Sequence, residues 1–168
     1  MYNNTYQFVL TKDYLVVMVE MVHDARIVPI FESAEKAKAS HEPSVIKPWM
    51  GDSVGWWEGD TFVMESTNIN PVQAANQSSF PITPNGVITE RFTRTGDKDI
   101  VYEFGVVDPE LYTQPWKAQM SFYPSSGVYE YACHEGNYGM IGILAGAREK
   151  ERRAEVAKAK TKSVKGGQ

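Results

Sequence analysis

Residues 87–107, VITERFTRTGDKDIVYEFGVV, carry the pattern that decides the fold. Two runs rich in β-branched and aromatic residues flank Thr95-Gly96-Asp97, a combination that reads as two strands joined by a turn. Alternation assigns faces on the second run. Ile100, Tyr102, Phe104 and Val106 share one side, and Val101, Glu103, Gly105 and Val107 share the other. On the first run Glu90 lies with Ile88 and Phe92, while Arg91 lies with Val87, Thr89 and Thr93. One of these two charges must therefore sit among hydrophobic neighbours, where it is costly unless paired or functional.

The same signals extend outward. TYQFVLT (5–11), YLVVMVEMVH (14–23), ARIVPIF (25–31), WKAQMSFY (116–123) and VYEYACH (128–134) all read as strands. GWWEGDTFVMEST (55–67) reads as a hairpin turning at Glu58-Gly59-Asp60, where Gly59 is free to take positive φ. After Gly136 the period changes, and Met140, Ile141, Ile143, Leu144 and Ala147 form the apolar stripe of a helix. Short connections imply antiparallel neighbours, because parallel pairing needs a long crossover. A twisted sheet of this many strands closes or splits into two layers. The expectation is a mainly β chain, an antiparallel barrel of the lipocalin or calycin kind. It has eight or nine strands and one C-terminal helix, with a β-sandwich as the alternative. Two connections, 32–54 and 68–86, are too long for turns and read as lids or surface excursions, the first with room for a short helix at SAEKAKA.

The 168 residues are 42% hydrophobic and 23% charged, which is globular, and no apolar run is long enough to cross a membrane as a helix. Residues 1–147 carry 9 Lys and Arg against 18 Asp and Glu, a balance of −9; residues 148–168 carry 8 against 3, a balance of +5. An acidic body argues against a nucleic-acid partner, whose binding rests on cationic contacts to phosphate. The division expected is one barrel domain over 1–148, helix included, and a basic, solvated helical or disordered tail over 149–168. Oligomeric state is left open. Cys133 is the only cysteine, so no internal disulfide forms, and the opening Met1-Tyr2-Asn3-Asn4 lacks the regions of a leader peptide.

The segment YEYACHEGNYGM (129–140) concentrates reactive side chains at a strand-to-helix junction, where unpaired backbone N–H groups attract negative charge. Adjacent strand residues point to opposite faces, so His134 cannot activate Cys133, which is expected in packing. General acid–base chemistry suits the composition better, with His134 and His23 as bases and Glu90, Glu103 or Glu135 as partner carboxyls. Tyr138 or Arg26 would be the electrophilic donors. A structural bridge from Glu90 or Glu20 to Arg26 or Arg91 is the alternative for the buried charges. The histidines at 23, 41 and 134 have no short ligand spacing, so no metal is expected, although strands could still join His23 and His134 with a carboxylate. No phosphate-binding glycine loop or nucleotide fingerprint is present, so no cofactor is expected.

Aromatic residues supply the expected ligand walls: Trp49, Trp56, Trp57, Tyr102, Phe104, Trp116 and Tyr131, with Asn137 as a polar handle. Trp56 and Trp57 must point to opposite faces, one into a core and one onto a surface or cavity. The functional expectation is a barrel that binds a small hydrophobic or aromatic molecule. It would act as a cofactor-free isomerase, dehydratase or lyase; a carrier or a protein-interaction module are the alternatives.

VEMVHDARIVPI, WMGDSVGWWEGDTFVMESTN, ITERFTR, VYEFGVVDPELYTQPW and YEYACHEGNYGM, in this order, resemble a family of uncharacterised bacterial proteins. The likeness covers most of residues 2–148. It implies the C-terminal, β-rich portion of a longer, exported precursor whose leader lies ahead of residue 1. It implies no activity and no catalytic residues. The stretch ESAEKAKASHEPSVIK is longer here than is usual in that family.

Overall fold

A computed structural model describes residues 4–76, 80–130 and 138–165 of the chain. The chain divides into two compact units, Met1–Tyr131 and Ala132–Gln168. The first holds eight strands: β1 (Tyr6–Leu10), β2 (Tyr14–Val19), β3 (Ala25–Phe31), β4 (Asp52–Glu58), β5 (Thr61–Thr67), β6 (Val87–Arg94), β7 (Ile100–Val107) and β8 (Trp116–Phe122). They form one curled sheet in sequence order, a half-barrel, so the expected β class and barrel-like curvature are present and the two-layer sandwich is not.

Every neighbouring pair is antiparallel except β3 and β4, which run parallel through Ile30 opposite Gly55 and Phe31 opposite Trp56. The long connection makes this step possible. Ser33 caps a short helix, α1 (Ala34–Ala39), through the Lys36 N–H, and the chain then crosses back to start β4 beside β3. α1 lays Ala37 and Ala34 on Val54, Trp56, Val63 and Phe31, which makes the convex-side core. The second long connection holds another short helix, α2 (Pro71–Asn76).

Observed strands depart from expectation at three places. β2 stops at Val19, and Met21–His23 form a 3-10 turn with Val22 and His23 at positive φ, so His23 is on an exposed turn instead of a strand face. Residues 128–130 are not in a strand, and the remainder of the expected ninth strand lies outside the described residues. The curled sheet is open: among the described residues β1 and β8 each have a single neighbour. In the second unit, α3 (Tyr138–Lys165) begins where the change of period was expected and continues through the basic segment, braced by Glu149 with Arg152 and Arg153. No helix among the described residues is long and apolar enough to cross a membrane.

The concave face is identified by contacts that only an inward-curling sheet can make. Phe8 on β1 meets Phe92 on β6 at 5.4 Å and Phe122 on β8 at 6.0 Å between ring centres. Leu15, Val17, Val28, Phe62 and Met64 form its buried floor. The alternation read from 87–107 holds, since Glu90, Tyr102, Phe104 and Val106 share this face, opposite Arg91 and Glu103.

Candidate functional site

Three side chains expected at the site meet on the concave face. Arg26 of β3 makes a two-pronged ion pair with Glu90 of β6, Nη1 to Oε2 and Nη2 to Oε1 at 3.0 Å, and the Tyr102 hydroxyl of β7 donates to Oε1 at 2.8 Å. Glu90 is only 5% exposed. Burial works against the Arg26 charge, but the Glu90 carboxylate more than offsets it and holds the guanidinium above its ordinary value. Burial first, and then the Glu90 charge, push the Tyr102 phenol well above the usual tyrosine range, so it stays a proton donor. The trio satisfies itself. Of the two outcomes weighed for Glu90, the pairing with Arg26 is the one observed.

Around this trio aromatic rings form a continuous row. Tyr102 stacks on Phe122 at 5.0 Å and on Phe104 at 5.6 Å; Phe104 meets Trp116 edge-on at 5.6 Å; Trp116 meets Phe80 and Tyr112 at 5.8 Å. Tyr102, Phe104 and Trp116, expected to line a cavity, therefore mostly line one another. The Phe122 end of the row borders a cleft. This cleft, of about 550 Å³, lies between the unpaired edges of β1 and β8. Tyr6, Phe8, Ile100, Phe122, Tyr123 and Pro124 are its apolar lining; Asn4, Thr5, Ser125 and the β6–β7 turn with Arg94, Asp97, Lys98 and Asp99 are its polar rim. Its size falls within the range of small-molecule pockets.

Of the other expected residues, those described in the first unit are not brought to this cleft. Glu103 stands on the convex face of β7, in register with Arg91 and Gln119, because it alternates with Tyr102. Trp56 is core beneath α1 and donates from Nε1 to Glu58 at 2.9 Å, which with Arg91 holds the Glu58 carboxyl below its usual range. Trp57 is half exposed against the Phe62 edge, so the expected split of the pair is observed. Trp49 is exposed in the crossover loop. Tyr138 opens α3 in the second unit and is exposed. Tyr131, Cys133, His134, Glu135 and Asn137 lie outside the described residues.

Sequence reading missed two groups. One is the cleft lining on β1, where Tyr6 and Phe8 alternate with Gln7; that alternation was the available signal. The other is a polar cluster on the convex side that ties down the crossover. His41 Nδ1 is 2.8 Å from Asp52 Oδ2 and 3.2 Å from Thr67 Oγ1. Its Nε2 faces Glu65 Oε1 at 3.5 Å, outside hydrogen-bond geometry, and Lys38 pairs with Glu65 at 2.7 Å. Asp52 also accepts from the Glu42 N–H at 2.8 Å, so the cluster holds the loop after α1 against the sheet. No three His, Cys, Asp or Glu side chains among the described residues are grouped as metal ligands. Comparison of the chain with protein-family models, with curated proteins and with solved structures finds no match.

Proposed function

We propose that the half-barrel binds a small aromatic molecule, without turnover, in the cleft between β1 and β8. The observation that carries this is the cleft itself, an apolar lining of four rings, an isoleucine and a proline beneath a polar rim, where the sheet ends. Rings offer large contact area at low conformational cost, and the rim supplies handles for orientation. The ionisable trio behind the lining supports binding over acid–base chemistry. Arg26, Glu90 and Tyr102 are mutually satisfied, and their arrangement keeps the phenol protonated. They act as a brace that fixes Tyr102, on which Phe122 of the cleft stacks.

Amide chemical-shift mapping with benzyl alcohol, a soluble aromatic probe, tests this. Saturable shifts should concentrate at residues 4–8, 94–100 and 122–125. Phe122→Ala, which removes a ring from the lining, should weaken binding by about tenfold, an aromatic contact's worth. Shifts scattered over the surface, or centred on Trp49 and Trp57, would refute the assignment.

A further inference from the structure

The charge and ring geometry of the cleft point to its ligand class, and this inference rests on the cleft being a binding site. Tyr6, Phe8 and Phe122 are mutual neighbours, with ring centres 6.3, 5.5 and 6.0 Å apart and interplanar angles of 18°, 31° and 42°. Tyr6 and Phe8 are stacked and the other two pairs are tilted, so the three rings form one aromatic cluster on the cleft wall. Ring faces carry negative potential and attract cations, most strongly where water is partly excluded. The rim bears two carboxylates, Asp97 and Asp99, and two cations, Arg94 and Lys98. Arg94 is committed within its own turn: Nε donates to the Gly96 carbonyl at 2.9 Å, Nη2 to the Asp97 carbonyl at 3.2 Å, and the Asp97 carboxylate stands 4.0 Å away.

The rim is therefore balanced in charge, and the balance is tipped by what surrounds it. The body over residues 1–147 has a net charge of −9, a field that concentrates cations and repels anions at its clefts. We propose that the cleft takes an organic cation, a quaternary or protonated amine on an aromatic or short apolar body. The rings hold the charged methyl or methylene groups, and Asp97 and Asp99 face the ammonium from the rim.

Titration of the full chain with three probes, read by amide shifts at Tyr6, Phe8, Ile100 and Phe122, tests the proposal. Benzyltrimethylammonium, benzyl alcohol and benzoate share the ring and differ in charge. The cation should bind about fivefold more tightly than the alcohol, and benzoate most weakly. Asp97→Asn with Asp99→Asn should narrow the preference for the cation over the alcohol, and Lys98→Met should widen it. Raising salt should weaken the cation more than the alcohol. Equal or tighter binding of the alcohol overturns the cation assignment and leaves the aromatic site standing. Tightest binding of benzoate overturns it too and makes Lys98 the recognising group. Failure of all three to shift the cleft amides overturns both readings.

Discussion

Arg26→Met is the most informative single change in the described fold. It keeps the length and the apolar stem of the side chain and deletes the charge, leaving Glu90 with the Tyr102 hydroxyl as its partner among the described groups. Removing one member of a buried ion pair costs about 3–5 kcal/mol, because the other charge stays behind without compensation. Here the side chains are 17% exposed for Arg26 and 6% for Glu90, so water can reach the vacated position in part. That places the cost at the lower end, about 3 kcal/mol. The double change Arg26→Met, Glu90→Met removes both charges together and should recover most of this. It remains about 1 kcal/mol below the parent because the Tyr102 hydroxyl loses its acceptor. Urea unfolding at neutral pH measures all three, and an unchanged slope against denaturant shows that stability alone has moved. An Arg26→Met protein within about 1 kcal/mol of the parent would refute the claim that Glu90 depends on this partner. So would a double variant no more stable than the single one.

Tyr102→Phe should cost about 1.5–3 kcal/mol near neutrality, the range for a hydrogen bond to a charged group, measured again in urea. It should also flatten the alkaline limb of stability. The folded phenol is raised above its unfolded value, so its contribution is complete below about pH 10 and is lost as pH rises from there toward the folded value. If the stability of parent and variant falls in parallel above pH 10, the assignment fails. Gly55→Ala should destabilise by about 1–3 kcal/mol, since a Cβ there would stand 2.4 Å from the Phe62 ring, itself held in the concave core. Thermal melting checks this, and an unchanged midpoint would mean that the ring can move aside.

Much of the concave face is legible from alternation alone. Tyr102, Phe104, Trp116 and Glu90 fall where a period of two puts them, and the need for a partner to Glu90 left Arg26 or Arg91, of which the fold brings Arg26. Glu103 was legible too: the same alternation sets it opposite Tyr102, so its candidacy as a partner carboxyl conflicted with its own face. Three features lie beyond local pattern. A long connection permits a parallel return but does not say which edge it returns to, so the β3–β4 pairing is invisible in sequence. The cleft depends on where the sheet stops curling, which Tyr6 and Phe122, far apart in the chain, settle jointly. His41 and Asp52 are joined by the course of the crossover, and no residue spacing announces such a contact.

The parallel step between β3 and β4 also divides the sheet by range of contact. β1 to β3 is one three-stranded meander and β4 to β8 is a five-stranded one, the second interrupted by the long connection between β5 and β6. In the ladder they are stitched by two residue pairs, Ile30 with Gly55 and Phe31 with Trp56. The crossover closes its long loop onto only these two pairs, whereas the comparably long connection between β5 and β6 closes onto six, so the entropic cost of closure is least well offset at the junction of the meanders, which is the late-forming piece. Backbone amides at the junction should accordingly exchange with solvent by openings short of global unfolding, while those of β5 and β6 should not. The Arg26–Glu90 pair reaches from one meander to the other, so it works as a clasp across the line along which this fold would first part.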